Sequence, residues 1–245
     1  MAVETRYRLV SFDLDGTLVD TAGEIAEACN RALADFDVPP RPLQAVVASI
    51  GHGTRELMLQ QLAQVLIAEP ARAEQLRFER VFDRFQHHHA RTSGTTGRPY
   101  AGCVEGLAAL RDAGIACACV TNKEELFALQ VLERTGLRDF FRVVIGGNTL
   151  AWKKPDRRVI DHVRERLGAP ACATGHVGDS AIDVATSREA GVAAWAVPYG
   201  YNGGVPVAQS RPDRLFERLD HLARAVIDGE LKPAPLRCDP ALADD

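Results

Sequence analysis

The sequence lacks the features of several specialised protein classes. It has no excess of positive charge, because 29 lysines and arginines face 33 acidic residues and leave a formal net charge of −4. Nucleic-acid binders hold phosphates with a basic surface, so we expect no nucleic-acid partner. Apolar runs such as residues 115–120 are far shorter than the ~20 residues of a transmembrane helix, so we expect no membrane partner. No apolar leader precedes the first strand-like segment, which favours a cytoplasmic protein.

Paired cysteine spacing is also absent. The six cysteines form no CxxC pair, and a chain of 245 residues can build its own core without disulfides. Cys117 and Cys119 lie two residues apart in an apolar run, where cysteine is typical of a small core residue. We therefore expect reduced cysteines and no zinc site.

What the sequence does contain is an alternation of apolar runs and amphipathic stretches between residues 102 and 228. This alternation is typical of βαβ units, and it predicts an α/β fold with a Rossmann-like parallel sheet and helices on both faces. A further buried strand is predicted before this block. The predicted strands are residues 8–12, 115–120, 143–145, 176–177 with their upstream neighbours, and 193–197, and the predicted helices are 104–112, 124–135, 156–167 and 181–190.

The segment between the first strand and this block has no strand pattern. Its apolar residues recur at three- and four-residue spacing, from Ile25 to Leu33 and again from Leu57 to Leu66. This spacing is typical of amphipathic helices. We therefore predict an all-helical insertion over residues 20–97.

Two other stretches complete the predicted domain organisation. Residues 92–99 are rich in Gly, Ser and Thr and are typical of a hinge. After Gly229 the sequence becomes rich in proline and loses its pattern. The predicted division is a core of residues 1–19 and 98–230, the helical insertion of 20–97, and a loose C-terminal tail of 231–245.

Polar residues follow each predicted strand at its carboxyl end. Ligands of open parallel sheets bind at this edge, so we expect these side chains to lie close together. Acids, hydroxyls and cations all contribute, which favours a site for chemistry over a single surface charge. The residues are Asp13 and Asp15, then Thr121, Asn122 and Lys123, then Lys153 and Lys154, and finally Asp179 and Asp183.

The acidic members of this set favour a metal site. Asp13 and Asp15 are two residues apart, which in an extended chain places both carboxylates on one face with backbones roughly 7 Å apart. Two carboxylates that close repel unless a cation lies between them or one keeps a proton. Mg²⁺ prefers oxygen ligands, and Asp179 can complete its coordination shell. Asp183, one helical turn further, is expected to hold Asp179 or a metal-bound water.

The same set of residues suits phosphoryl transfer, which depends mainly on positioning and charge neutralisation. Lys154 and Thr121 supply a cation and a hydroxyl donor for a phosphate group. A carboxylate can be the nucleophile and form an aspartyl-phosphate. The second carboxyl can then protonate the leaving oxygen and later deprotonate water.

These residues match, in order and spacing, the four motifs of a known superfamily. Phe-Asp13-Leu-Asp15-Gly-Thr, Val-Thr121-Asn-Lys, Lys154-Pro-Asp and Val-Gly-Asp179-Ser-Ala-Ile-Asp resemble the motifs of haloacid dehalogenase-like hydrolases over nearly the whole chain. The helical insertion resembles the mobile cap of that superfamily.

The resemblance implies a role for each of these residues. It implies that Asp13 is the nucleophile and Asp15 the acid and base. It implies that Asp13, Asp179 and the backbone carbonyl of Asp15 hold Mg²⁺. The resemblance also implies which residues bind phosphate: Thr121, Asn122 and Lys154.

Within the superfamily, three stretches are similar to bacterial phosphoglycolate phosphatases: residues 98–102, residues 146–155 and residues 198–203. This similarity implies hydrolysis of a small phosphate monoester, 2-phosphoglycolate, to glycolate and phosphate through an aspartyl-phosphate. One departure is His52 between two glycines, where that group more often has Asn. His52 and Arg55 in this cap loop are the candidates for contact with the distal carboxylate of the substrate.

Other functions share part of the pattern. A phosphoacceptor signalling module has a similar sheet edge but is much shorter and lacks a large insertion. Dehalogenases lack the acid equivalent to Asp15, and phosphonoacetaldehyde hydrolases use a cap lysine, whereas residues 20–97 contain no lysine. A β-phosphoglucomutase-like mutase or a pyrophosphatase stays open, because either would use the same residues. The oligomeric state, monomer or homodimer, also stays open.

Overall fold

The computed structural model describes residues 7–231, and a parallel sheet runs through their centre. In these residues the strands are β1 (Leu9–Phe12), β2 (Val19–Asp20), β3 (Arg98–Pro99), β4 (Ala116–Val120), β5 (Val143–Ile145), β6 (Thr174–Gly178), β7 (Ala193–Ala196) and β8 (Arg214–Leu215). The α-helices are α1 (Ala22–Ala34), α2 (Leu43–Val47), α3 (Thr54–Ala68), α4 (Phe78–Thr92), α5 (Cys103–Asp112), α6 (Glu125–Arg134), α7 (Arg158–Leu167), α8 (Ala181–Glu189) and α9 (Leu219–Ile227).

Six strands form the sheet in the order β5-β4-β1-β6-β7-β8, and every neighbouring pair is parallel. Strand β1 lies near the middle, where Val10 pairs with Cys117 on one side and Gly175 on the other. All four β1 residues are buried, as expected for a parallel strand covered on both faces. The predicted α/β fold class is confirmed.

The two faces of the sheet pack into separate hydrophobic clusters. Because side chains alternate along a strand, Cys117 and Cys119 of β4 pack with α5, α6 and α9 residues, whereas Ala118 and Val120 pack with α7 residues. Helices therefore cover both faces. Across the described chain, every helix falls short of the length and apolarity that crossing a membrane requires.

The cysteines follow the prediction at four positions and depart from it at one. Cys29, Cys103, Cys117 and Cys119 are free and buried, and burial raises the pKa of the Cys117 thiol to about 12. Cys172 is disulfide-bonded, so the expectation that all six cysteines are reduced is wrong there. The sixth cysteine lies outside the described residues.

Between β2 and β3 the regular elements are helices, as predicted, and α1 to α4 share their own hydrophobic cluster. The two chain segments that join these helices to the sheet are β2 and β3, which pair with each other in antiparallel orientation. The buried Glu24 carboxylate accepts hydrogen bonds from the backbone N–H groups of Gly94 (2.8 Å) and Gly97 (3.0 Å). The predicted hinge is therefore held from within the helical insertion.

Several elements were not predicted. The strands β2, β3 and β8 have only two residues each, which is too short for a period-two pattern. Helix α9 closes the face formed by α5. The predicted division at residues 20–97 stays a prediction, and most of the predicted tail, 231–245, lies outside the described residues.

Candidate active site

Asp13 lies directly after β1 and extends its pairing, since its backbone N–H donates to the Val177 carbonyl at 2.8 Å. Its carboxylate is buried. Asp13 Oδ1 accepts from the Leu14 N–H at 2.8 Å and lies 2.9 Å from Lys154 Nζ. Burial raises the pKa of Asp13 to about 6, although the Lys154 ammonium opposes the shift. The sheet thus fixes a buried carboxylate at its central edge.

Asp15 faces a different cation. Lys123 Nζ lies 3.1 Å from Asp15 Oδ1 and 3.2 Å from Asp15 Oδ2. The Thr21 hydroxyl, at the start of the helical insertion, donates to Asp15 Oδ1 at 2.7 Å. The two carboxylates of the first motif are therefore paired with different lysines, Asp13 with Lys154 and Asp15 with Lys123.

Lys154 joins two strand ends. Its Nζ lies 2.6 Å from Asp183 Oδ1 and 2.9 Å from Asp13 Oδ1. Burial alone would lower the pKa of the Lys154 ammonium, but Asp13 and Asp183 together raise it above its usual range. Lys154 is thus a buried cation shared by two carboxylates.

Asp183 is the most heavily bonded acid of the site. Its Oδ2 accepts from the Ser180 N–H at 3.1 Å and the Ser180 hydroxyl at 2.6 Å, and its Oδ1 lies 3.3 Å from His176 Nε2. Burial alone would raise the pKa of Asp183, but the Lys154 ammonium and His176 bring it below its usual range. Through these contacts, Ser180 and Asp183 form a capping box at the N-terminus of α8.

Asp179 is closely surrounded by Thr17, Gly200 and Tyr201. Thr17 Oγ1 donates to Asp179 Oδ1 at 3.3 Å, and the Tyr201 N–H donates to Asp179 Oδ2. A Cβ on Gly200 would lie 2.3 Å from the Asp179 Cβ, so only glycine fits there. Burial and the nearby Asp183 and Asp13 carboxylates raise the pKa of Asp179 well above its usual range.

Three of these acids form a group suited to a cation. Each of Asp13, Asp179 and Asp183 offers an oxygen within 4.8 Å of the others. Lys154 supplies one positive charge against three carboxylates, and oxygen ligands of this kind suit Mg²⁺. The Asp15 carboxylate pairs with Lys123 instead, and a contribution from its backbone carbonyl stays a prediction.

The predicted phosphate-binding residues also meet at this edge. The Thr121 N–H donates to the Ile145 carbonyl at 2.9 Å, which fixes the chain just after β4. Asn122 Nδ2 donates to the Lys154 carbonyl and to the Gly51 carbonyl, both at 3.0 Å. Asn122 Oδ1 is buried without a hydrogen-bond partner in the described chain. Asn122 therefore joins two core motifs to the cap loop.

A cleft lies between the core and the helical insertion. Charged and polar side chains line its core side, whereas the opposite side is mainly apolar or glycine. The core residues are Asp13, Asp15, Thr121, Asn122 and Lys123, and those of the insertion are Ile25, Ile50, Gly51, Gly53, Thr54 and Leu57.

The two predicted cap residues do not line this cleft. The His52 carbonyl accepts from Lys153 Nζ at 2.9 Å. Arg55 is half exposed, pairs with Glu79 at 2.6 Å, and stacks over the Phe78 ring at 4.5 Å. Their contact with substrate stays a prediction.

Sequence reasoning missed three contributors to the site. Lys123 follows two motif residues, and the sequence pattern gives it no role beyond that of one polar residue among several. His176 lies inside a strand and contacts Ser11 at 2.9 Å as well as Asp183. Tyr201 lies on a loop that is distant in sequence from Asp179, so their contact cannot be predicted without the three-dimensional structure. Only Lys123 carried a usable signal, a charged residue directly after a buried strand.

The chain belongs to the haloacid dehalogenase-like hydrolase family, whose model matches residues 10–197. Among curated proteins it is similar to one of Cupriavidus necator named "Phosphoglycolate phosphatase, plasmid", with 38% identity over 92% of this chain and 95% of that protein. A phosphoglycolate phosphatase of Thiobacillus denitrificans is 35% identical over 89% of this chain and 95% of its own length.

A solved structure from Haemophilus somnus, described as a predicted phosphoglycolate phosphatase, superposes with a TM-score of 0.83 at 28% identity. The match covers 91% of this chain and 99% of that chain. The likeness therefore includes the helical insertion as well as the sheet.

Proposed function

We propose that this chain is a phosphoric monoester hydrolase that converts 2-phosphoglycolate to glycolate and phosphate. The observation that carries the proposal is the buried Asp13 carboxylate, which lies 2.9 Å from Lys154 Nζ at the edge of a cleft. The substrate is supported by the relatives named phosphoglycolate phosphatase, which match nearly the full chain. The cytoplasmic location expected from the sequence is part of this proposal.

Asp13 is the nucleophile in this proposal. The Leu14 N–H and the Lys154 ammonium both contact Oδ1, so Oδ2 is the oxygen left to attack phosphorus. The new Oδ2–P bond forms as the ester P–O bond breaks, and the product is an aspartyl-phosphate. Thr121, which lines the cleft, donates its hydroxyl to a phosphate oxygen.

Asp15 moves the proton in both half-reactions. Its carboxyl gives a proton to the departing glycolate oxygen and then takes one from the water that attacks the phosphorus. The second step breaks the Asp13–phosphate bond and releases inorganic phosphate. Lys123 and Thr21 hold the Asp15 carboxylate through three contacts, which keeps it oriented for this transfer.

We propose Mg²⁺ as the cofactor, held by Asp13 and Asp179 with Asp183 close by. When bound, it offsets the negative charge that three carboxylates present to a phosphate. Asp183 keeps Lys154 in place through its 2.6 Å contact.

The test is a panel of small phosphate esters assayed for phosphate release. We expect 2-phosphoglycolate to give the highest kcat/KM among 2-phosphoglycolate, ethyl phosphate, pyrophosphate and β-glucose 1-phosphate. EDTA should abolish turnover and added Mg²⁺ should restore it. Faster turnover of pyrophosphate, or isomerisation of the sugar phosphate, would contradict the proposal.

A further inference from the structure

Lys123 is the positively charged residue among those that line the cleft in the described chain. Its side chain is fully buried. The lining also contains the Asp13 and Asp15 carboxylates, and its remaining members are uncharged. If the substrate carries a second anionic group besides its phosphate, Lys123 is the positively charged lining residue that can contact it.

The hydrogen bonds of Lys123 leave room for a further acceptor. A lysine ammonium has three N–H donors, and Asp15 takes two of them with contacts of 3.1 and 3.2 Å. Within residues 7–231, no other side chain or backbone oxygen accepts from Lys123 Nζ. The neighbouring Glu24 carboxylate is already used by the Gly94 and Gly97 N–H groups.

The described residues that line the cap side of the cleft include no cation to pair with the carboxylate of an acidic substrate. Ile25, Ile50 and Leu57 are apolar, and Gly51 and Gly53 bring no side chain. A carboxylate buried against these residues loses water, and its burial is costly unless a cation pairs with it. The Arg55 guanidinium pairs with Glu79 and lies outside the lining.

We propose that Lys123 binds the carboxylate of the substrate and makes the enzyme selective for phosphorylated two-carbon acids. This inference rests on the proposed function. Asp15 must contact the ester oxygen to protonate it, and the glycolate carboxylate lies only about 3 Å from that oxygen through two carbons. Lys123 Nζ, beside both Asp15 oxygens, is therefore within reach of the carboxylate while the ester oxygen contacts Asp15.

The test compares two substrates that differ only in the carboxylate. 2-Phosphoglycolate and ethyl phosphate are assayed with the parent, Lys123→Met, Lys123→Arg and Lys153→Met. We expect Lys123→Met to lower kcat/KM on 2-phosphoglycolate about 100-fold, because a charge-assisted contact is lost. Lys123→Met should also lower kcat/KM on ethyl phosphate, because Asp15 loses its Lys123 contact, but the ratio of the two kcat/KM values should still fall at least about 10-fold. Lys123→Arg should regain part of the preference.

Lys153→Met is the matched control, because it removes an exposed lysine next to Lys154 whose hydrogen-bond acceptor in the described residues is the His52 carbonyl alone. It should leave the ratio of the two kcat/KM values within about twofold of the parent. Equal losses on both substrates in Lys123→Met would overturn the inference and leave Lys123 as a residue that only orients Asp15. A fall in the ratio caused by Arg55→Ala instead would assign the carboxylate to Arg55.

A second measurement needs no variant. The parent should prefer 2-phosphoglycolate over its uncharged carboxamide analogue by a factor of the same order as the Lys123→Met loss. Equal rates on acid and amide would overturn the charge requirement even if the variants fail to fold. A parent without activity on 2-phosphoglycolate would instead refute the proposed function, and this inference with it.

Discussion

The two sides of the cleft are built on different principles. On the core side, charged groups from the ends of several strands are buried and contact one another, as in the chain of contacts from Asp13 to Lys154 to Asp183. On the cap side, apolar residues and glycines line the cleft, and the charged Arg55 lies outside it. In the proposed function, the core side carries out the reaction and the cap side excludes water.

This difference predicts which substitutions should affect catalysis and stability strongly and which should have small effects. Core residues are coupled through short contacts at low exposure, so changes there should affect both catalysis and stability. The cap loop is attached to the core by two backbone carbonyls, since Gly51 and His52 accept from Asn122 and Lys153, and by the Thr54 hydroxyl, which donates to Glu124. Changes of the His52 and Arg55 side chains should therefore have small effects, and a large one would break the comparison.

The largest effect is expected at the nucleophile. Asp13→Asn keeps the shape of the side chain but removes the attacking charge, and turnover of 2-phosphoglycolate should fall at least ~10⁴-fold. Circular dichroism should show an unchanged fold. Activity within tenfold of the parent would exclude Asp13 as the nucleophile.

The next effect concerns stability. Lys154→Met leaves the buried Asp13 and Asp183 without their shared cation, and loss of one partner of a buried pair costs about 3–5 kcal/mol. Denaturant unfolding in EDTA should show a drop in the free energy of unfolding of this size. Lys153→Met is the control, since Lys153 is exposed and should cost less than ~1 kcal/mol. Equal drops would mean that the core network is no more coupled than the loop.

The sequence predicted the core side well because its chemistry follows directly from buried strands. Asp13 and Thr121 each come just after an apolar run that is typical of a central strand, and Asp179 follows the shorter predicted strand that ends at Gly178. Parallel pairing then brings the three residues together. Lys154 was placed at the same edge by its motif. The mutual contacts of these groups required no further information than strand order.

Other parts of the site could not be predicted from local patterns. The role of Asp183 as a partner of Lys154 depends on the turn that starts α8, and the contact of Tyr201 with Asp179 depends on a loop folding back over Gly16. The contact of Arg55 with substrate stays a prediction; its side chain lies beside α4, where it contacts Glu79 and Phe78, and these contacts also depend on the fold.

A smaller effect is expected in the pH dependence of stability without metal. The pKa of Asp13 is raised to about 6 in the folded protein, so the folded state binds more protons than the unfolded state between about pH 4 and 6. Asp13 should therefore contribute a fall of on the order of 2 kcal/mol to the free energy of unfolding in EDTA as the pH rises through this range. The buried His89 and His176, whose pKa values are lowered by burial, contribute in the opposite sense, so the Asp13 contribution is measured against a variant.

Asp13→Asn removes that titration, so the difference between parent and variant should grow between about pH 4 and 6. Asp179, whose pKa is raised in part by the Asp13 carboxylate, adds a fall at higher pH that is smaller in the variant, so the comparison is made below that range. Mg²⁺ should reduce the fall in the parent, because a bound cation favours the charged carboxylates. A flat difference between pH 4 and 6 would show that Asp13 is not protonated in the folded apo protein.

The smallest effect is expected on the cap side. Arg55 and Glu79 form an exposed ion pair, and such pairs contribute little because water screens them. Arg55→Ala should change KM for 2-phosphoglycolate and for an aryl phosphate by less than about twofold each, as measured by steady-state kinetics. A rise in KM confined to 2-phosphoglycolate would place Arg55 at the substrate carboxylate. The cap would then have to supply a charge to the cleft on closing, and its side would no longer be specialised for exclusion alone.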